Sequence, residues 1–431
     1  MPLTHIVRRV WIAVLLAAAA RGRPCAGSEL MSAAHASIRA AEAGGHVDAL
    51  ADDAFEGREG GSRGGRAAAA YVVEHLTAAG LEPAGDDGSF YQAFGSRRNV
   101  LAILPGGDPT VAHELVVVGA HYDHVGYGNA ANSFGPFGFV HNGADDNASG
   151  VAGLLEVAAA ARLLATLPRR PILFAFWDGE EQGLLGSRHF LRVRPASVAG
   201  RRIVFSVNLD MIGRLRDRRL EVYGTRTATG LRGAVVAANN DPANHAGLEL
   251  AFDWDIEEDS DHYPFIRAGI PTVMFHTGLH DQYHRPADDA HLVDRDGIEC
   301  VARLTLGFVR ALADAPGPVS GFRGACLTES NATRRALEAT PTDSVAAPRG
   351  RWGIGTREDP GDPTAPVVVR VTAGTPAAAA GLVPGDRILA IDGVAVENQA
   401  TMLDRLKAAV GEVALAIDRR GRFMAAVMRS P

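Results

Sequence analysis

Residues 115–124, LVVVGAHYDH, decide the fold. A strand-like apolar run ends on two polar side chains, His121 and Asp123. The same design recurs three times. Residues 172–181, ILFAFWDGEE, end on Glu180 and Glu181. Residues 203–213, IVFSVNLDMIG, carry Asp210. Residues 271–278, PTVMFHTG, are followed by DQYH with His284. A fifth segment, GADDNASG at 143–150, places Asp146 where a loop becomes a helix. In an open α/β sheet, ligands gather beyond the carboxyl ends of the strands. Imidazoles and carboxylates arriving there from several strands point to a metal-dependent hydrolase.

Around these strands, helical patterns alternate with extended ones. AAAAYVVEHLTAAGL (67–81) has apolar residues at helical spacing and stops at Gly80. Asn99 to Leu104 reads as a strand, and Pro105-Gly106-Gly107 as a turn. Helices are expected over Val151–Leu164 and Asp296–Leu312. The alternation predicts an α/β fold, a three-layer sandwich with a mixed central sheet, over residues 28–313. Residues 314–349 are rich in Pro, Ala, Thr and Ser and read as a linker with one short helix. Residues 350–431 read as a separate small module.

The chain has 431 residues, long enough for two or three domains. A net charge of −7 with no polybasic stretch gives no reason to expect a nucleic-acid partner. At the N-terminus, Arg8 and Arg9 precede an apolar run from Val10 to Ala20 and then small residues near Ala26. This predicts a cleavable signal peptide over 1–26, export to a bacterial periplasm or medium, and no integral membrane segment after its removal. Pro24 before Cys25 makes a lipoprotein signal poor. With Cys25 removed, Cys300 and Cys326 either pair or stay as free thiols.

His121 and Asp123 lie two apart at a strand end and so point the same way. That suits a histidine ligand whose other ring nitrogen is steadied by a carboxylate. Asp146, at a helix start, can bridge two cations. Glu180 and Glu181 are adjacent, so their side chains diverge, and one can bind metal while the other faces substrate as a general base. With Asp210 and His284 the set holds two histidines and three carboxylates, with Glu180 left over. One shared carboxylate then gives each of two ions three protein ligands, with a position open for water.

GAHYDH, GADDNASG, FWDGEEQGLLGS, NLDMIG and DQYH resemble, in order and context, the five motifs of the di-zinc aminopeptidases, whose wider family includes aminopeptidase Y, glutamate carboxypeptidase and glutaminyl cyclase. The resemblance covers about 28–313. It implies that His121 and Asp210 bind one zinc, Glu181 and His284 the other, and that Asp146 bridges. It makes Asp123 the partner of His121, Glu180 the general base, and Tyr283 a hydrogen-bond donor to the tetrahedral oxyanion. It also implies a cis peptide at Asp146–Asn147. Two Zn²⁺ per chain are expected, although Mn²⁺ or Co²⁺ also suit such N/O sites. The implied reaction is hydrolysis at peptide or protein N-termini. A carboxypeptidase or a glutaminyl cyclase on the same scaffold is the alternative. SDHYPF (260–265) matches a further family segment without yielding a role for Asp261 or His262. The loop 126–142 with His141 is expected to rim the pocket, and Asp288 to orient His284. The acidic stretch 253–261 reads first as an exposed solvated loop, with a preference for cationic substrates as the alternative.

WGIG (352–355) followed by TPAAAAGLVPGDRILAIDG (375–393) resembles a PDZ domain of the bacterial type. The resemblance implies that backbone amides at Gly353, Ile354 and Gly355 receive the carboxylate of a peptide C-terminus added as a strand. A docking module without a peptide ligand, and a protein whose main role is PDZ-mediated peptide binding, are the other readings.

Overall fold

The structure is a computed structural model that describes residues 33–317, 320–340 and 351–430. The expected signal peptide lies outside the described residues. Within them, no helix is long and apolar enough to cross a membrane.

The larger unit is built on a mixed nine-stranded sheet. Its strands are β1 (Glu82–Pro83), β2 (Tyr91–Phe94), β3 (Arg97–Leu104), β4 (Glu114–His121), β5 (Ile172–Trp177), β6 (Arg202–Leu209), β7 (Arg219–Tyr223), β8 (Glu249–Phe252) and β9 (Thr272–His276). The order is β1-β3-β5-β4-β6-β9-β7-β8, with β2 also paired to β3. The four central strands β5, β4, β6 and β9 run parallel. Their carboxyl ends therefore meet on one edge, where the expected ligands sit.

Every residue of β4 is buried. Val116, Val118 and Ala120 join the core on one face, and Leu115 and Val117 the core on the other. This is period-two alternation between two apolar layers, which a central parallel strand requires. The first layer holds α1 (Ala40–Leu50), α2 (Arg63–Ala78), α3 (Gly150–Arg162), α5 (Leu231–Asn240) and α7 (Arg295–Asp314); the opposite face carries α4 (Leu185–Arg192) and α6 (His262–Arg267). Helix α7 starts at Asp294, whose side chain accepts from Gly297 N (2.9 Å). Its buried stripe, Ile298, Val301, Ala302, Thr305, Phe308, Val309 and Leu312, follows helical spacing. Phe308 packs edge-on against Phe205 at 5.6 Å between centroids, and truncating such a side chain to alanine costs about 3–5 kcal/mol. Gly119 has no substitute, because a Cβ there would lie 2.4 Å from Trp177 Nε1.

The smaller unit is an antiparallel sheet of β10 (Ile354–Arg357), β11 (Val367–Val371), β12 (Arg387–Ile391), β13 (Val394–Ala395), β14 (Glu412–Arg419) and β15 (Arg422–Arg429). Asp392 and Gly393 both take positive φ between β12 and β13, as a two-residue hairpin turn demands. Helix α9 (Gln399–Ala408) and Trp352 close a core with Val368, Ile388, Met402, Leu406 and Val413. Gly353, at φ 72°, precedes edge strand β10, and the register shifts between Gly355 and Thr356. Gln399 Nε2 donates to Thr356 O (2.6 Å).

The linker segment does more than tether. Within it α8 (Asn331–Glu338) forms, and its Ala336 carbonyl accepts from Arg357 of β10 (2.6 Å). The two sheets also meet directly. The β14–β15 turn, Arg420-Gly421, gives its Arg420 carbonyl to Leu250 N of edge strand β8 (2.9 Å). Arg232 of α5 pairs with Asp418 (2.6 Å). The physical reason is the open edge of the large sheet, whose free amides and apolar side chains take the hairpin as a cap.

Candidate metal centre

Asp146 stands between two groups of side chains that could each hold an ion. One group is His121, Asp146 and Asp210; the other is His124, Asp146, Glu181 and His284. Asp146 divides its oxygens between them. Oδ1 lies 3.4 Å from His121 Nε2, which is itself 3.3 Å from Asp210 Oδ1. Oδ2 lies 3.1 Å from His284 Nε2, which is 3.1 Å from Glu181 Oε2. All five expected ligands therefore converge, and their N/O donor set fits divalent zinc-type cations.

The scaffold holds these groups through the backbone. The Asp146–Asn147 peptide is cis. Asn147 Oδ1 accepts from Met211 N (3.1 Å) and its Nδ2 donates to Leu209 O (3.0 Å), tying the Asp146 turn to the end of β6. Asp288 Oδ2 accepts from Asp145 N and Asp146 N (2.9 and 3.0 Å). Asp288 thus orients the Asp146 peptide rather than His284. The buried Arg58 donates to the carbonyls of Tyr122, Asn142 and Gly143, clamping the two loops that carry the ligands.

Asp123 is fully buried, with Oδ1 3.9 Å from His121 Nδ1 and accepting from Glu180 N (3.0 Å). It therefore steadies the Glu180 backbone as well as facing the histidine. Burial above all, and then the charges of His121, Glu181, Asp261 and Asp210, act on Glu180; the sum holds its carboxyl well above the usual range. Burial opposes charge on His121, but the Asp210 and Glu180 carboxylates outweigh it and raise its pKa well above the ordinary value. Burial also opposes the charge of Asp146, yet its bond to His121 and the charges of His124 and His284 hold it well below the usual range. Tyr283 stacks on His284 (3.9 Å between centroids), and burial with the surrounding carboxylates pushes its hydroxyl far up.

Three features escaped the sequence reading. His124 is buried with Nδ1 2.7 Å from Glu181 Oε1, and only the second histidine of HYDH signalled it. Ser260 donates to Asp210 Oδ2 (2.5 Å) and accepts from Asn208 Nδ2 (2.7 Å), giving the SDHYPF segment a role. His141 is buried, not at the rim: it meets Ser133 Oγ at 2.6 Å, and Ser133 Oγ and Phe134 N both reach the His284 carbonyl. Those bonds hold His284 at φ 52°. In the same loop Phe134 is 63% exposed and lies beside Tyr283. Asp261 lies beneath the site, bound to Ser187 Oγ and raised by burial to about 7. Cys300 and Cys326 are free thiols.

A cavity of about 610 Å³ opens from this centre, lined by His121, Asp146, Glu180, Asp210, Tyr283 and His284 and then by an acidic wall. The wall includes Glu221, Asp253, Asp255, Glu257 and Asp259, with Arg216 and Arg219 beside them. The acidic stretch is therefore part of the cavity lining.

The model of peptidase family M28 matches residues 99–309, and a PDZ domain model matches 367–415. Leupeptin-inactivating enzyme 1 of Streptomyces exfoliatus is 30% identical over 51% of this chain and 44% of its own length. Aminopeptidase YwaD of Bacillus subtilis is 31% identical over 46% of this chain and 40% of its own. The chain thus spans less than half the length of these two relatives. The crystal structure of BSAP, a zinc aminopeptidase from Bacillus subtilis, superposes with a TM-score of 0.51 at 16% identity, covering 66% of this chain and 98% of that one. The chain carries a peptidase family M28 domain followed by a PDZ domain.

Proposed function

We propose that this chain is an exported exopeptidase that removes N-terminal residues from peptides with the help of two divalent cations, zinc foremost. One observation carries the reading: Asp146 presents one carboxylate oxygen to each of two ligand groups. In this proposal His121, Asp146 and Asp210 hold one ion, and Asp146, Glu181 and His284 the other. When bound, the ions supply Lewis acidity toward the attacking water and the scissile carbonyl.

The chain's own side chains do the rest. Glu180 faces the cavity and, with its raised pKa, suits taking a proton from the attacking water and returning it to the leaving amine. Asp123 positions Glu180 through its backbone amide. Tyr283, kept protonated by burial, can donate a hydrogen bond to the developing oxyanion. The acidic wall favours a free α-ammonium over a carboxylate. Arg216 and Arg219 in the same lining are the observation behind the carboxypeptidase alternative, but Arg219 is paired with Glu221 (3.1 Å). The names of the B. subtilis relatives support the aminopeptidase choice.

We place the domain limits at 28–313, with the connecting segment to 349 and the PDZ unit from 350. The loop at Gly353, Ile354 and Gly355 is proposed to receive a peptide C-terminus. Mass spectrometry of a peptide library after incubation with the zinc-loaded protein tests the function. Ladders shortened from the amino end support it. Loss from the carboxyl end, or loss of ammonia from N-terminal glutamine without cleavage, replaces it with one of the alternatives.

A further inference from the structure

Asn331, in the first turn of α8, reaches out of the connecting segment and binds a single loop of the peptidase unit. Its backbone N donates to Asp255 Oδ1 (3.0 Å). Its Nδ2 donates to Asp253 Oδ1 (2.6 Å) and Asp255 Oδ2 (2.7 Å). Its Oδ1 accepts from Trp254 N (3.3 Å). One amide thus joins two carboxylates that would otherwise repel each other, and both of them line the cavity of the metal centre.

The same loop is held from behind. Arg226 lies 3.8 Å over the Trp254 ring, a cation–π contact in a buried setting. Glu329 binds Arg226 through two bonds (2.8 and 2.7 Å), and Arg323 binds Glu329 through two more, each 2.6 Å. Arg226 also pairs with Asp359 of the PDZ unit, which in turn pairs with Arg387 (2.8 Å). A continuous set of contacts therefore runs from the PDZ core through Arg226 to Trp254 in the wall loop, and Glu329 of the connecting segment joins it at Arg226.

We infer that Asn331 is a positioning residue that fixes the Asp253–Asp255 wall of the substrate cavity, and that docking of the PDZ unit through Asp359 holds it in place. The inference rests on the peptidase reading above for its kinetic consequence, but not for its structural one. The PDZ unit then tunes substrate fit without supplying any group to the reacting atoms.

The test uses the full chain carrying Asn331→Asp, which keeps the shape, removes both Nδ2 donors and adds a third carboxylate. KM for lysyl- and leucyl-4-nitroanilide is expected to rise about tenfold, the equivalent of one lost charged hydrogen bond, with kcat within about twofold. Asn331→Ala, which removes the donors without adding charge, is expected to move KM in the same direction, as is Asp359→Asn. Hydrogen exchange over 252–260 should quicken in all three, while exchange over 115–121 stays slow. Unchanged exchange and KM in Asn331→Asp and Asn331→Ala would overturn the role of Asn331. A response to those two but not to Asp359→Asn would overturn the part played by docking. If exchange responds as stated but the parent protein hydrolyses neither substrate, the positioning stands and the aminopeptidase reading falls.

Discussion

His124 Nδ1 lies 2.7 Å from Glu181 Oε1, and the same nitrogen is 3.7 Å from Asp146 Oδ2. His124 is buried, and its Nε2 has no hydrogen-bond partner among the described residues. The imidazole therefore aims at the ligand group of Glu181 and His284, where it orients Glu181. Replacing His124 with alanine should lower affinity for the zinc proposed at Glu181 and His284 by about 10- to 100-fold, the usual cost of losing such a supporting partner. Titration against a competing chelator measures this. Unchanged affinity for both ions would show that His124 only fills space.

Glu180 and Glu181 separate base from ligand. Glu180→Gln should keep its metal content and lose about 10²–10⁴-fold in turnover, the range for general acid–base work. Glu181→Gln should instead lose metal from the group that includes His284. Elemental analysis beside steady-state rates distinguishes the two. Near-normal turnover in metal-loaded Glu180→Gln would remove Glu180 from the mechanism.

The parts of the site legible in sequence were those carried by one local segment, a strand end or, for Asp146, a loop running into a helix. His121, Glu180, Glu181 and Asp210 follow directly from where β4, β5 and β6 stop, and a buried parallel strand fixes that stop through its apolar pattern. What the sequence hid were contacts between distant segments. Ser260 beneath Asp210, His141 behind His284, and Asp288 on the Asp146 peptide each depend on how loops cross after the sheet forms. The acidic stretch 253–259 had no readable direction until β7, β8 and β9 closed one side of the cavity. The composition of 314–349 spoke for a tether because its polar residues find their partners in other units: Glu329 on Arg226, and Asn331 on Asp253.

Glu156, away from the metal centre, makes stability depend on pH. Burial above all raises its carboxyl to about 7, opposed by the Arg39 amide and helped by Glu42 and Glu299. The folded pKa exceeds the ordinary 4.5, so the native state holds the proton more tightly than the unfolded one. The stabilisation is complete below about 4.5 and is lost as pH rises toward 7. His46, 3.7 Å away, is lowered to about 4 by burial first and stays neutral across that window. Glu156→Gln keeps the acceptor for Arg39 N and cannot ionise. Its melting temperature should match the parent's near pH 4.5 and exceed it at pH 8. Equal melting temperatures at both pH values would mean that Glu156 is solvated in the native state.

Gly421 sits where the tip of the β14–β15 hairpin meets the larger unit. It takes φ 79° in the β14–β15 turn, and its carbonyl accepts from Asn239 Nδ2 (3.0 Å) and Asn240 Nδ2 (2.7 Å). A Cβ at this position would lie 2.4 Å from Leu250 Cγ, inside the contact that caps edge strand β8. Valine adds both the clash and a backbone conformation that β-branched residues resist. Gly421→Val should therefore lift the hairpin off α5 and β8 at a cost of about 1–3 kcal/mol, with Arg232 and Asp418 drawn apart. None of the proposed ligands lies on α5 or β8, so zinc content should hold while the radius of gyration from solution scattering increases. The chain ending near Ala313 should likewise keep its zinc, because it retains every proposed ligand, although Trp254 loses the Asn331 bond and Arg226 loses both of its carboxylate partners. A Gly421→Val protein with unchanged scattering and melting would mean that the hairpin tip is an incidental contact, and that the ion pairs of Arg226 and Arg232 carry the docking.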